Sequence, residues 1–125
     1  STHAVDVKSE NEVKKMNKTK SNGITTIYLE GMLNTANSVD LEAEFDQIIA
    51  DQDRHVVINM TDLNLITSAG LRVFLAFAKK LMKSQAKLVL CEMKPEVLEI
   101  FTMTGFNSIF TICESTEEAQ VAMAA

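Results

Sequence analysis

TDLNLITSAGLRVFLAFAKKL, residues 61–81, passes from an apolar run into a helical repeat through two hydroxyl residues and a glycine. Downstream of that junction, Leu71, Phe74, Leu75, Ala78, Leu81 and Met82 recur at the spacing of one helix face, and Arg72, Lys79, Lys80 and Lys83 fall outside it. The spacing predicts an amphipathic helix over 69–83, with lysines at the end where the helix dipole favours them. Upstream, HVVINM (55–60) is short, β-branched and flanked by polar residues, the pattern of a strand covered on both faces. The residues between them read as a loop.

The alternation extends in both directions. Asn22-Gly23 separates the polar stretch Val13–Lys20 from ITTIYLEG (24–31), and Asn-Gly is a strong hairpin signal because both residues tolerate positive φ. An antiparallel pair is therefore expected to open the domain. After Asn37-Ser38, VDLEAEFDQIIA (39–50) places Val39, Leu41, Phe45, Ile48 and Ile49 at helical spacing, with acids opposite. KLVLCEM (87–93) reads as a strand. Pro95 opens a helix over PEVLEIFTMTG, which Gly105 can close in a left-handed conformation. SIFTIC (108–113) gives a last strand, and STEEAQVAMAA (115–125) a last helix behind a Ser-Thr-Glu-Glu cap signature. The order ββαβαβαβα predicts an α/β fold around a mixed, mostly parallel sheet with right-handed crossovers. Residues 1–11 are expected to form a flexible tail and 12–125 a single domain.

With 125 residues, 46% of them hydrophobic, the chain can bury one ordinary core and is too short for two. The net charge of −5 is unevenly spread: residues 1–20 carry five Lys against three acids, and residues 21–125 seven basic against fourteen acidic side chains. An acidic body without a basic patch argues against direct nucleic-acid binding. Cys91 and Cys113 stand apart in apolar stretches, without metal or redox spacing, and read as reduced, mostly buried thiols. No stretch approaches the length of a membrane span or a secretory h-region, so a soluble cytoplasmic protein without membrane insertion is expected.

Catalytic readings find little support. Ser68 lacks a nucleophile-elbow motif, and His3, in the tail, and His55, at a strand start, are the two possible bases. Four isolated glycines build no phosphate cradle. Glu42, Glu44, Asp46, Asp51 and Asp53 read as a solvated helix face rather than a metal site, and the seven Met as packing. No enzyme activity, metal or cofactor is expected.

The helix start remains. As an N-cap, Ser68 would accept a hydrogen bond from a free backbone N–H, worth about 1 kcal/mol. Free N–H groups and a positive dipole end also suit a phosphate, free or covalently attached. A phosphoserine there brings about −1.5 to −2 charges to a place that tolerates them, so it would act on a binding surface and not on the fold. At 100° per residue, Phe77 lies off the centre of the buried stripe and Val73 further round. An exposed Val73, Ala76, Phe77 strip beside Ser68 and Arg72 would make an apolar docking face with a charged edge.

These residues resemble the STAS-domain anti-sigma factor antagonists. The resemblance rests on DLNLITSAGLRVFLAFAKKL, similar to that family's turn of serine, small residue, Gly and Leu before an amphipathic helix. It extends to ITTIYLEGMLNTANS, to HVVINM, and to KPEVLEIFTMTGFNSIFTI with its Phe101, Thr104-Gly105-Phe106 and Ile109, and covers about residues 12–120. It implies four helices against a mixed sheet of about five strands. It also implies partner switching: the unmodified protein binds an anti-sigma factor, a serine kinase of the histidine-kinase-like ATPase type, and so frees a sigma factor. Phosphorylation abolishes binding, and a PP2C-type phosphatase restores it. The acceptor position falls on Ser68, with Thr67 the secondary candidate. Asn34, Thr67, Ser68, Ala69, Gly70, Arg72, Val73, Ala76 and Phe77 are the expected partner-binding residues. Thr67 and Asn34 stand where many members carry Asp. Isolated STAS domains also serve as subunits of lipid-transport complexes or as signalling scaffolds, an alternative in which the partner is a transporter ATPase or a sensor.

Overall fold

A computed structural model describes residues 16–124. The expected tail, residues 1–11, and His3 within it lie outside the described residues. Five strands form one sheet in the order of the chain: β1 (Met16–Ser21), β2 (Ile24–Leu33), β3 (His55–Ile66), β4 (Lys87–Cys91) and β5 (Thr111–Cys113). The β1–β2 pair is antiparallel and joined at Asn22 (φ 55°) and Gly23 (φ 78°), the backbone that the Asn-Gly signal requires. The pairs β2–β3, β3–β4 and β4–β5 are parallel.

Four helices complete the fold: α1 (Ser38–Ala50), α2 (Ser68–Lys83), α3 (Pro95–Met103) and α4 (Thr116–Ala124). Because the parallel strands follow one another in order, right-handed crossovers place α1, α2 and α3 on one face. Ile27, Leu29, Leu33, Val56, Ile58 and Leu90 point into that face, against Leu41, Phe45 and Ile48 of α1, Phe74 and Leu81 of α2, and Phe101 of α3. The second face is left to α4, whose Ala119 and Met123 cover Val57, Val89 and Cys91. The mixed α/β sheet with an N-terminal hairpin and four helices is thus as expected.

Several details differ from the expectation. Residues 61–66, read as a loop, continue β3, which is twelve residues long. They pair with β2 through two register irregularities, between Tyr28 and Glu30 and between Gly31 and Met32, so the polar Thr61, Asp62 and Asn64 break the expected alternation. At the other edge, Ser108 closes a 3-10 turn over Phe106–Ser108, which leaves three residues for β5. Within the helices, Met82 is 72% exposed and Val39 68% exposed although both fit the apolar repeat. Asp53, read as part of a solvated acidic face, keeps only 5% of its side chain exposed and pairs with Lys20 at 2.8 Å.

Candidate functional site

β2 and β3 end side by side, with Leu33 in register with Ile66. The Thr67 N–H donates to the Leu33 carbonyl at 2.8 Å, which ties the start of α2 to the loop leading into α1. That loop is held by two asparagines: the Asn34 N–H donates to Asn37 Oδ1 at 2.8 Å, and the Asn37 N–H to Asn34 Oδ1 at 3.1 Å. The fully buried Asn37 also donates from Nδ2 to the Met32 carbonyl at 2.6 Å. A rigid turn carrying Asn34 therefore sits at the same end of the sheet as Ser68. In the sequence Asn37 stands as a helix flank, and the N-x-x-N spacing from Asn34 is the signal of its role in the turn.

Thr67, not Ser68, occupies the N-cap position. Its backbone is extended (φ −97°, ψ 175°), its carbonyl accepts the Leu71 N–H at 2.9 Å, and no side chain caps the helix. Thr67 Oγ1 is buried without a hydrogen-bond partner. Ser68 is the first helical residue and is exposed, so its hydroxyl, unlike that of Thr67, is open to solvent. The first turn contains no acid. Its N–H groups thus remain available to an anion, and the positive end of the dipole is not neutralised.

Gly70 is required by packing. A Cβ there would stand 2.9 Å from Leu33 Cβ and 2.9 Å from Ile66 Cγ1, and the Leu33 atom cannot move away without its strand. The glycine lets α2 lie directly over the ends of β2 and β3, which sets the distance between Ser68 and the Asn34 turn. Ala69 is half-buried and Arg72 is exposed one turn along.

The proposed apolar strip does not survive. Phe77 is 2% exposed and stacks on Phe45 of α1 with ring centroids 4.0 Å apart. The periodicity of α2 accounts for burial against the sheet alone. In fact α1 lies alongside it, widening the buried arc to include Phe77 and leaving Val73 and Ala76 half-buried. The Lys80–Asp46 ion pair, at 2.7 Å, closes the same seam at the surface. The exposed apolar side chains nearest the site in the chain are instead Met32 (43%), Leu65 (41%) and Val39 (68%). The first two belong to strand ends, where the irregular β2–β3 pairing disturbs the alternation.

His55 opens β3, at the opposite end of that strand from Ser68, so it is no base for the serine. Among the described residues no cluster of three His, Cys, Asp or Glu side chains could hold a metal ion. Cys91 and Cys113 are free thiols, in register on β4 and β5. Burial pushes the Cys91 thiol up to about 11, against a hydrogen bond with Thr116 that lowers it. Among the described residues no helix is long and apolar enough to cross a membrane.

A model of the STAS domain matches residues 15–119. The chain is 44% identical over 108 residues to BtrV of Bordetella bronchiseptica, named as a candidate anti-sigma factor antagonist, across 86% of this chain and 93% of that protein. The chain belongs to the STAS-domain anti-sigma factor antagonist family. Members of that family are regulators and not enzymes. Solved structures share the fold at low identity. A candidate anti-sigma factor antagonist from Thermotoga maritima superposes with a TM-score of 0.83 at 17% identity, over 88% of this chain and 95% of that one. Bacillus SpoIIAA in its phosphorylated form gives 0.68 at 17% identity, over 89% of this chain and all 100% of that one. The exposed serine at the start of α2 therefore stands in a STAS domain, as the resemblance of residues 62–81 implied.

Proposed function

We propose that residues 12–125 act as one cytoplasmic STAS domain that works as a partner-switching anti-sigma factor antagonist. Unmodified, it binds an anti-sigma factor that is also a serine kinase of the histidine-kinase-like ATPase type, and so releases a sigma factor. Phosphorylation of Ser68 ends the interaction, and a PP2C-type phosphatase restores it. The observation that carries this reading is the exposed Ser68 hydroxyl at the first position of a helix without a side-chain cap or first-turn acid.

The physical logic is that a dianion at this point meets free N–H groups and the positive helix end, so the domain keeps its fold. A partner seated on the same surface would instead have to desolvate that dianion, and one presenting acidic groups or a bound nucleotide would be repelled. Asn34, Thr67, Ala69, Gly70 and Arg72 frame the serine. Phe77 contributes by holding α2 against α1. The likeness to BtrV favours an antagonist over a transport subunit.

Incubation with the cognate kinase and ATP, followed by peptide mass spectrometry, is expected to place one phosphate on Ser68. Phosphate on Thr67 alone, or none, would overturn the site. In parallel, Ser68→Ala is expected to bind the anti-sigma factor and Ser68→Asp to lose it. Equal affinities would remove the switch.

A further inference from the structure

The second face of the sheet is covered by α4 over β3, β4 and β5, which leaves the ends of β2 and β3 uncovered. There Met32 and Leu65 are paired in register and are 43% and 41% exposed. They point away from the core that their neighbours Leu33 and Ile66 enter. Beside them Glu30 is paired in register with Asp62. Like charges directly opposite each other destabilise a sheet. Among the described residues neither carboxylate has an ion-pair or hydrogen-bond partner. Lys94, a nearby cation, donates instead to Asn64 Oδ1.

An apolar pair and an uncompensated acidic pair thus occupy one surface. It lies at the end of the sheet from which α2 starts, since Leu65 precedes Ser68 by three residues and Met32 precedes Asn34 by two. Burial of Phe77 removes the apolar docking centre that the helical repeat of α2 suggested.

We propose that Met32 and Leu65, edged by Glu30 and Asp62, form the apolar half of the docking surface for the anti-sigma factor. The partner meets them with aliphatic or aromatic side chains flanked by lysine or arginine. The proposal rests on the reading of the chain as an antagonist switched at Ser68. Its charge logic is complementary to that switch: the acidic edge attracts a basic rim, and the partner's contact with Ser68 lies at the other border of the same patch. The acidic pair contributes mainly to association rate and register, and the apolar pair to residence time.

The test is isothermal titration of the full chain with its purified anti-sigma factor, each variant first checked by thermal unfolding. Met32→Ser combined with Leu65→Ser is expected to weaken binding by about tenfold or more. Glu30→Gln combined with Asp62→Asn, conservative changes that keep the domain folded, is expected to weaken binding several-fold at low salt and to flatten its salt dependence. Wild-type affinity and salt dependence in the charge variant, or wild-type affinity in a folded apolar variant, would overturn the proposal. So would a wild-type chain that sediments as a dimer and becomes monomeric on Met32→Ser with Leu65→Ser, because the face would then pair with a second copy. Ser68→Asp separates the two readings. If it loses binding while both surface variants bind normally, the switch stands and the docking surface falls. If it binds normally while the surface variants fail, the reverse holds. A wild-type chain that does not bind the anti-sigma factor removes both.

Discussion

The starts of α2 and α4 solve the same problem in opposite ways. At α4, the Glu118 N–H donates to Ser115 Oγ at 3.1 Å and the Thr116 N–H to Glu92 Oε2 at 3.1 Å, while Glu118 Oε1 accepts the Glu114 N–H at 3.0 Å. Two acids, Glu117 and Glu118, lie in the first turn. At α2 no side chain caps the helix and the first turn has no acid, whereas α1 and α3 carry Asp40 and Glu96. The difference follows from packing. α4 buries only Ala119 and Met123 and depends on its caps, whereas α2 buries Leu71, Phe74, Phe77, Ala78 and Leu81 and can leave its first N–H groups free. An uncapped helix start is tolerated where the core holds the helix. That is also where the phosphate proposed for Ser68 would sit, at a helix end that favours negative charge.

The contrast can be broken most forcefully at Phe77. Phe77→Ala is expected to cost about 3–5 kcal/mol in denaturant-induced unfolding, because a ring stacked on Phe45 leaves a cavity between α1 and α2. A variant as stable as the wild type would show that α2 is not held by its packing.

Next in size is the cap itself. Ser115→Ala is expected to cost about 1 kcal/mol, since it frees the Glu118 N–H. Thr67→Val, which keeps the shape and removes a buried hydroxyl without a partner, is expected to be neutral or stabilising. Equal losses at the two positions in thermal unfolding would erase the distinction between the helix starts.

Ser68→Asp sharpens the comparison further. It is expected to raise stability slightly, by about 0.3–1 kcal/mol at low ionic strength, as a negative charge meets the uncapped helix end. A clear loss of stability would contradict the claim that charge at Ser68 leaves the fold intact.

A last effect lies under α4 and shows only at alkaline pH. The Cys91 thiol, raised to about 11 by burial, binds its proton more tightly in the folded chain than in the unfolded one. Its contribution is fully present below the unfolded value near 9 and is lost as pH rises through about 11, so stability falls across that window. Cys91→Ala is expected to flatten that part of the stability profile relative to the wild type. Unchanged slopes would show that the thiol does not titrate with unfolding.

Much of this was legible from residue order. Asn22-Gly23 predicted the hairpin, Pro95 and Gly105 bracketed α3, and the Ser-Thr-Glu-Glu run predicted the cap of α4, because each depends on local backbone or side-chain geometry. Residues 62–81 resembled the family that the comparisons then showed. Residues 61–66 were misread because the irregular pairing with β2 shifts which side chains face the core, and a period of two cannot reveal that. Phe77 was misplaced because a helical wheel places a residue on an arc of its own helix and knows nothing of a neighbouring helix.

The sequence by itself therefore determined the element order and the family, and singled out Ser68 as the candidate, since those depend on short-range chemistry and spacing. The tertiary structure decided the rest. The meeting of α1 and α2 buried Phe77, the approach of α2 to Leu33 required Gly70, and the shielding of Thr67 left Ser68 as the exposed hydroxyl of the pair. All three depend on contacts between segments far apart in the chain, where burial is set by what packs alongside and not by the pattern of one segment.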